Sequence, residues 1–292
     1  MTRRTTREWR GWWFVGPFAA VFVAVFVAPV AYALGLSMFR DQLVGGTVFV
    51  GLGNYLAVFA DPKFWSALGR VTVLLVVQVP IMLALALLAA LAIDSARLRF
   101  RAFFRIAIFL PYAVPGVVAA LLWGFMYSAD FGLTGGINAA LGSDILQPLS
   151  PGWILGSIGN IVTWEFLGYN MLIFYAALRA IPAELGEAAT LDGAGDLRLA
   201  LSVKLPALRG AILIATIFSI IGSFQLFNEP NLLKAVAPNA ISTYFTPNLY
   251  AYNLSFGGQE FNYAASVAIV MGLLTAVIAY VVQLRGSRVE TR

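Results

Sequence analysis

The sequence contains no cysteine and no histidine in 292 residues. Disulfides and thiol chemistry are therefore excluded, and the commonest metal ligands and general bases are missing with them. Lysine is nearly absent too, represented by Lys63, Lys204 and Lys234 alone. None lies in a GxxxxGK[ST] loop, so the chain has no means of cradling a nucleotide in the P-loop manner. Charge of either sign is scarce, at 11% of residues against 60% hydrophobic. With a mean hydropathy of +0.84, so much apolar surface cannot be hidden inside one soluble core. No internal repeat or low-complexity tract is found.

What the chain has instead is long uncharged runs. A hydrocarbon layer of about 30 Å is crossed by about 20 apolar residues in helix. Five runs reach that length: Trp12 to Leu36, Val71 to Ile93, Ile106 to Ala129, Gly210 to Asn228 and Phe261 to Leu284. A sixth, Trp153 to Leu178, is interrupted only by Glu165. Barrel strands would alternate over about 10 residues, so the expectation is an all-α membrane protein of six transmembrane helices. Pro29 in the first run and Pro111 and Pro115 in the third remove backbone donors and are expected to kink those helices.

The net charge of +5 invites a nucleic-acid reading, but the charges follow the spans. Arg3, Arg4, Arg7 and Arg10 precede the first; Arg97, Arg99, Arg101 and Arg105 lie between the second and third. Arg179, Arg198, Lys204 and Arg209 flank the fourth and fifth, and Arg285, Arg288 and Arg292 end the chain. Only Arg40, Lys63, Arg70 and Lys234 fall on the opposite side, 4 of the 19 basic residues. The positive-inside rule then puts both termini in the cytoplasm of a multi-pass membrane protein, with lipid and no nucleic acid as its surroundings. The arginine-rich start and Ala31-Tyr32-Ala33 have the look of a signal peptide. The run is longer than the roughly 7 to 15 residues of a signal h-region, so a retained span is expected.

Outside, Ser37 to Arg70, Asp130 to Gly152 and Glu229 to Glu260 are candidate docking surfaces, with Phe64, Trp65 and Trp153 as interfacial anchors. Inside, Arg179 to Arg209 is far longer than a connection needs. Pro182 and acidic Glu184 and Glu187 suit the start of a short helix, Gly193 permits a turn, and a second helix can run from Asp196 towards Lys204 until Pro206 stops it. Two short helices joined by a glycine turn make a knob for another protein; a solvated loop without a partner is the plainer alternative.

The spacing Glu187-Ala188-Ala189, Gly193, then Val203-Lys204-Leu205-Pro206 resembles the EAA signature of membrane subunits of binding-protein-dependent ABC importers. Val203 stands where isoleucine is usual. Leu110-Pro111-Tyr112, Gly135-Gly136-Ile137-Asn138, Ile181-Pro182 and Leu191-Asp192-Gly193-Ala194 are similar to carbohydrate permeases of the maltose and glycerol-3-phosphate type. Lys234 to Asn239 departs from their T-x-G-G-P turn. The resemblance implies the type I importer permease fold, with residues 1–60 as tail, first span and outer loop and 61–292 as a five-helix core carrying the coupling loop 179–209. It implies that Glu187, Ala188, Ala189, Asp192, Gly193, Leu205 and Pro206 seat in a cytoplasmic ATPase. The chain itself would carry no cofactor and no enzymatic activity, ATP and Mg being bound by the partners. Those are two ATPase subunits, a second six-span permease and an extracytoplasmic sugar-binding protein.

The resemblance also implies a sugar site near the bilayer middle, between the fourth and fifth spans. At 1.5 Å per residue, Tyr169 and Ser219 lie about 14 Å, and Glu165 and Ser223 about 20 Å, from the inner ends of those spans. Each pair is four residues apart and shares a helix face, whereas Asn170 is turned away from Glu165 and expected to pack elsewhere. Aromatic, hydroxyl and carboxyl groups suit a sugar, although the serines could equally bond back to their own helix. A carboxyl at this depth must line a wet cavity, pair with a cation, or stay protonated. Two rival classes remain at this point: an ion-coupled secondary transporter with Glu165 as relay, and an intramembrane enzyme, which the missing histidine and cysteine disfavour.

Overall fold

The computed structural model describes residues 5–42, 44–95 and 97–290, with side chains for 11–286 of that set. The terminal side chains of the charge tally, Arg3, Arg4, Arg7, Arg10, Arg288 and Arg292, lie outside the described residues. Among the described residues, five helices are long and apolar enough to cross a membrane. They are α1 (Gly11–Ser37), α3 (Pro62–Asp94), α7 (Ile154–Arg179), the helical stretch Arg209–Leu233 and the last helix, beginning at Phe261. The expected third span is a pair of shorter helices, α4 (Arg101–Ala113) and α5 (Gly116–Met126), bent by 96° at the break. The kink expected from Pro111 and Pro115 is thus a full corner. Pro115 lacks the donor that would continue α4, and Val114 before it adopts an extended ψ of 128°, as residues preceding proline do. Pro29, by contrast, only follows a π turn at Val23–Val27, and α1 runs on.

The remaining elements are short. α2 (Gly53–Ala60) precedes α3, and α6 (Leu133–Leu141) follows α5. α8 (Ala183–Leu191) and α9 (Asp196–Leu199) follow α7. The stretch Arg209–Leu233 divides into α10 (Arg209–Phe224) and α11 (Asn228–Leu233), and α12 (Pro247–Tyr252) leads to α13 (Phe261–Glu290). One departure from an all-α chain is an antiparallel hairpin, β1 (Phe39–Gln42) and β2 (Gly46–Phe49), pairing Phe39 with Phe49 and Gln42 with Gly46. Gly45 and Gly46 take the positive φ of the turn (+108° and +74°), and Thr47, Val48 and Phe49 favour the extended strand.

Three apolar clusters hold the bundle together. Near the C-terminal ends of α3 and α7, Ala86 and Ala90 of α3, with Ile93, meet Met171, Phe174 and Leu178 of α7 and Leu208 and Ala215. Small residues four apart let the two helices approach closely, which is how association is driven where lipid is as apolar as the side chains. A second cluster joins Phe64 and Val71 of α3 to Phe224, Tyr250 and Val267. The third joins Ile154, Ile158 and Ile161 of α7 to Leu226, Leu233 and Ile241. Phe64 is therefore fully buried core rather than an interfacial anchor, because α3 begins at Pro62 and turns it inward; Trp65 and Trp153 are exposed.

The N-terminus of α3 is pinned by Asp61. Its side chain caps the helix by accepting from the Lys63 amide, and it accepts hydroxyl protons from Tyr250 at 2.6 Å and Tyr263 at 3.0 Å. Burial opposes the charge, but these donors outweigh it and hold the carboxyl below its ordinary value. α1 packs through its second half on α13, and its residues from Gly11 to Ser37 otherwise face outward.

Candidate functional site

A cavity of about 410 Å³ opens between α3, α7 and α10, within the size range of small-molecule sites. Tyr169 of α7 and Ser219 and Ser223 of α10 line it, beside Gln78, Val79 and Met82 of α3 and Asn170 of α7. Tyr112, in the corner between α4 and α5, lies flat against Tyr169 with ring centroids 4.8 Å apart and meets Phe166 edge-on at 5.8 Å. Gly168 makes this possible. A Cβ there would stand 2.1 Å from the Ile108 carbonyl oxygen, so the backbone of α4 crosses directly over α7 at a place where a side chain is missing. The Ser223 hydroxyl donates to the Ser219 carbonyl at 2.8 Å, which leaves its oxygen as an acceptor.

Glu165 lies behind the cavity wall. It is 4% exposed and its neighbour is Glu229, 7% exposed, which does line the cavity. Sequence reasoning set Glu229 in an outer docking loop; the structure corrects this. The chain leaves helix after Phe224, turns through Gln225, Leu226 and Phe227, and re-enters it at Asn228, so α11 packs against α5 and α7 within the bundle. Glu229 stands one residue past the last apolar run, which is the signal that could have found it. Asn170 was expected to pack elsewhere, and it does donate to the Phe166 carbonyl at 2.9 Å, yet it also lines the cavity. Its Oδ1 and the Oε1 of Glu165 are buried without a hydrogen-bond partner. Gly116, first residue of α5, faces this corner: a Cβ on it would lie 3.6 Å from Glu165 Oε1 and 3.5 Å from Asn228 Nδ2.

The second region is the polar knob. α8 begins directly after Pro182 and ends in an αL glycine: Gly193 has φ +79°, its amide donates to the Thr190 carbonyl, and the Ala194 amide donates to the Ala189 carbonyl. These are the two bonds of a Schellman cap, which favours glycine at that position. Glu187, Ala188, Asp192 and Gly193 are exposed and Ala189, Leu205 and Pro206 half-buried. Leu191 is 90% and Leu197 74% exposed, an apolar tip on a polar segment. Pro206 does not stop the second helix at Lys204, as had been expected. The turns continue through a π segment, Ala200–Lys204, to Ala207, with the proline in the first turn after that segment, where its missing donor matters little. Two ion pairs tie the knob to the end of α3 and the loop after it: Lys204 to Asp94 and Arg97 to Asp196, both at 2.5 Å.

Residues 82–290 match the family model described as binding-protein-dependent transport system inner membrane component. The lactose transport system permease protein LacF of Rhizobium radiobacter is 36% identical over 278 residues, covering 92% of this chain and 91% of that protein. The diacetylchitobiose uptake system permease protein NgcF of Streptomyces coelicolor is 30% identical, covering 92% and 80%. A solved bacterial ABC transporter involved in the import of the acidic polysaccharide alginate superposes with a TM-score of 0.84 at 20% identity, over 97% of this chain and 96% of that one. The same kind of transporter, in complex with an alginate pentasaccharide-bound periplasmic protein, gives 0.85 at 19%. With the fold, the match over 82–290 and the relatives covering 92% of the chain agreeing on a transport permease over a secondary transporter, the chain belongs to the inner membrane components of binding-protein-dependent transport systems, as a multi-pass carbohydrate permease subunit of an ABC importer.

Proposed function

We propose that this chain forms one half of a transmembrane pathway for a mono-, di- or oligosaccharide, with the cavity between α3, α7 and α10 as the place where the sugar passes. The observation that carries the reading is the lining itself. A flat aromatic pair, Tyr112 on Tyr169, stands beside the polar row of Gln78, Asn170, Ser219 and Ser223. A sugar presents apolar ring faces and hydroxyl edges, and these surfaces answer the two in turn. The four residues picked out from the sequence take different parts. Tyr169 offers a face, Ser219 and Ser223 acceptors, and Glu165 supports the wall from behind.

The import cycle needs partners. Two cytoplasmic ATPase subunits, binding ATP and Mg, receive the knob at Glu187, Ala188, Ala189, Asp192, Gly193, Leu205 and Pro206, with Leu191 and Leu197 as the apolar contact. A second six-span permease completes the pathway, and an extracytoplasmic protein delivers the sugar. Six spans follow if α4 and α5 together count as one, and both termini then lie in the cytoplasm. Single cysteines at Ser95 and Gly46, in a chain that has none, should react with an impermeant thiol reagent from the inner and outer face respectively. The decisive experiment is reconstitution of the full complex in liposomes. Tyr169→Ala should reduce sugar uptake at least tenfold while the ATPase subunits still copurify, a loss of about 1.4 kcal/mol or more. Undiminished uptake by that variant would remove the cavity from the pathway.

A further inference from the structure

We propose that the cleft between the start of α4 and the end of α7 is a binding site for an anionic phospholipid, its phosphate held by Arg101, Arg105 and Arg179 and its chains laid along the exposed face of α4. The inference goes beyond the sugar pathway and needs only that these helices sit in a bilayer. The two helices run antiparallel. Ile108 crosses Gly168, and about one turn back along α4 the Arg105 guanidinium lies over the Tyr175 ring, 5.6 Å from its centroid. A further turn on each helix brings Arg101 level with Arg179, in the last turn of α7. Three guanidinium groups thus gather at one end of the cleft, and among the described residues no carboxylate answers them. The ion pairs there are Lys204–Asp94 and Arg97–Asp196. Arg101 uses its Nε on the Leu98 carbonyl, which leaves both Nη groups for a ligand, and the contact of Arg105 is the face of Tyr175.

Unpaired cations at close quarters raise one another's energy, and an anion set between them removes that cost. Guanidinium suits phosphate in particular, whose oxygens accept two of its N–H bonds at once. The level is that of the headgroups, where tyrosine and arginine collect at the ends of spans. In the topology proposed above this end of the cleft faces the inner leaflet, the one that carries negative lipid. The apolar half of the site is on the same helix. Phe103, Ile106 and Leu110, spaced three and four apart, form one exposed stripe about 10 Å long that leads from the arginines towards the corner at Pro111. A free phosphate has no use for that stripe, and a soluble domain docked at the headgroups does not reach along it. A phospholipid fits both halves.

The test is lipid titration of the assembled complex of this chain with its partner permease and ATPase subunits, in detergent, with native mass spectrometry resolving the lipid-bound states. The probes are dioleoyl phosphatidylglycerol and dioleoyl phosphatidylcholine. The wild-type complex should bind the first phosphatidylglycerol about tenfold or more tightly than phosphatidylcholine. Arg101→Gln and Arg105→Gln should each weaken phosphatidylglycerol about fivefold and leave phosphatidylcholine unchanged. Ile106→Asn should weaken both lipids by a similar factor. Arg97→Gln, which removes a charge already paired with Asp196, should stay within about twofold of the wild type. Equal affinity for the two lipids overturns the inference, and so does an equal loss in Arg97→Gln, which would mean diffuse positive charge without a site. Displacement of phosphatidylglycerol by 10 mM inorganic phosphate, about the concentration at which a headgroup-only site would fill, overturns the lipid in favour of a free anion. Loss of the ATPase subunits from Arg101→Gln or Arg105→Gln, with the two permeases still paired, overturns it in favour of a protein contact. None of these readouts involves a sugar, so the cavity reading stands or falls separately.

Discussion

The polar knob and the cavity are built by opposite means. The knob is one contiguous segment, from α8 to Ala207, exposed along most of its length and shaped by local bonds: a proline at its start and a Schellman cap at Gly193. The cavity takes Gln78, Tyr112, Tyr169, Ser219 and Glu229 from four separate stretches, and no local bond joins them. It exists because α4 crosses α7 at Gly168 and because the chain turns between Phe224 and Asn228. A surface that another protein must grip can be written in local spacing, while a hollow inside a bundle is written in where helices touch.

The sharpest way to break that comparison is to add one methyl group to a glycine in each region. At Gly168 a Cβ would stand 2.1 Å from the Ile108 carbonyl oxygen and 2.7 Å from the Phe109 Cα, all backbone that cannot swing aside. Overpacking of this kind typically costs about 1–3 kcal/mol and sometimes more, and here it would also pull Tyr112 off Tyr169. Gly168→Ala should lower the thermal midpoint of the solubilised protein by several degrees and abolish uptake. Gly186, inside α8, has nothing within 4 Å of its Cβ position. Gly186→Ala should instead be neutral or stabilising, by about 0.5–1 kcal/mol, since alanine suits a helix interior better. Equal effects at the two sites, measured by fluorescence-detected gel filtration after heating, would mean that the crossing is not as tight as its geometry.

The same contrast explains what the sequence revealed. Solid apolar runs located the five long helices and the bent pair, because the bilayer fixes their length whatever packs beside them. The knob was readable down to Gly193, because the rule that glycine follows a helix end is local. Glu229 was missed by one residue: an uncharged run stops at a charge by definition, so an acid carried into the bundle by a turn at Gln225 is invisible to that count. Asn170 was set aside because a helical wheel assumes a single opposing neighbour, whereas α7 meets α3 on one side and α10 on another. Tyr112 stood in a recognised tripeptide, but its place over Tyr169 depends on the 96° corner, and proline signals a break without its angle. The hairpin at 39–49 lay in a loop that hydropathy alone does not resolve.

A smaller effect on stability, with a larger one on function, is expected at Gly193. Its φ of +79° is unfavourable for any residue with a side chain, and a β-branched one pays about 1–2 kcal/mol. No atom lies within 4 Å of its Cβ position, so the cost is conformational rather than steric. Gly193→Val should leave the bundle inserted and lower the melting midpoint less than Gly168→Ala does, but uncouple sugar uptake from ATP hydrolysis. Gly193→Asn, which tolerates the left-handed region, should keep most of the coupling. If both variants transported like the wild type, the turn would have no part in gripping the ATPase.

The finest test lies in the two ion pairs that join the knob to the bundle, because they have the same 2.5 Å length and different surroundings. Lys204 and Asp94 are 24% and 12% exposed, and Arg97 and Asp196 83% and 70%. Water screens the second pair, which should contribute between nothing and about 0.5 kcal/mol. Removing Lys204 leaves Asp94 in a place where little water can replace the lost partner, so Lys204→Ala should cost about 1 kcal/mol. A double-mutant cycle on each pair separates the pairwise energy from the effect of either side chain alone. Coupling confined to Lys204–Asp94, and insensitive to added salt, would identify it as the joint through which motion of the knob reaches α3 and the cavity wall at Gln78. Coupling of equal size at Arg97–Asp196 that vanishes at high salt would mean that the knob is held only by surface charge, and that the path from ATPase to cavity runs through the backbone of Arg209 into α10 instead.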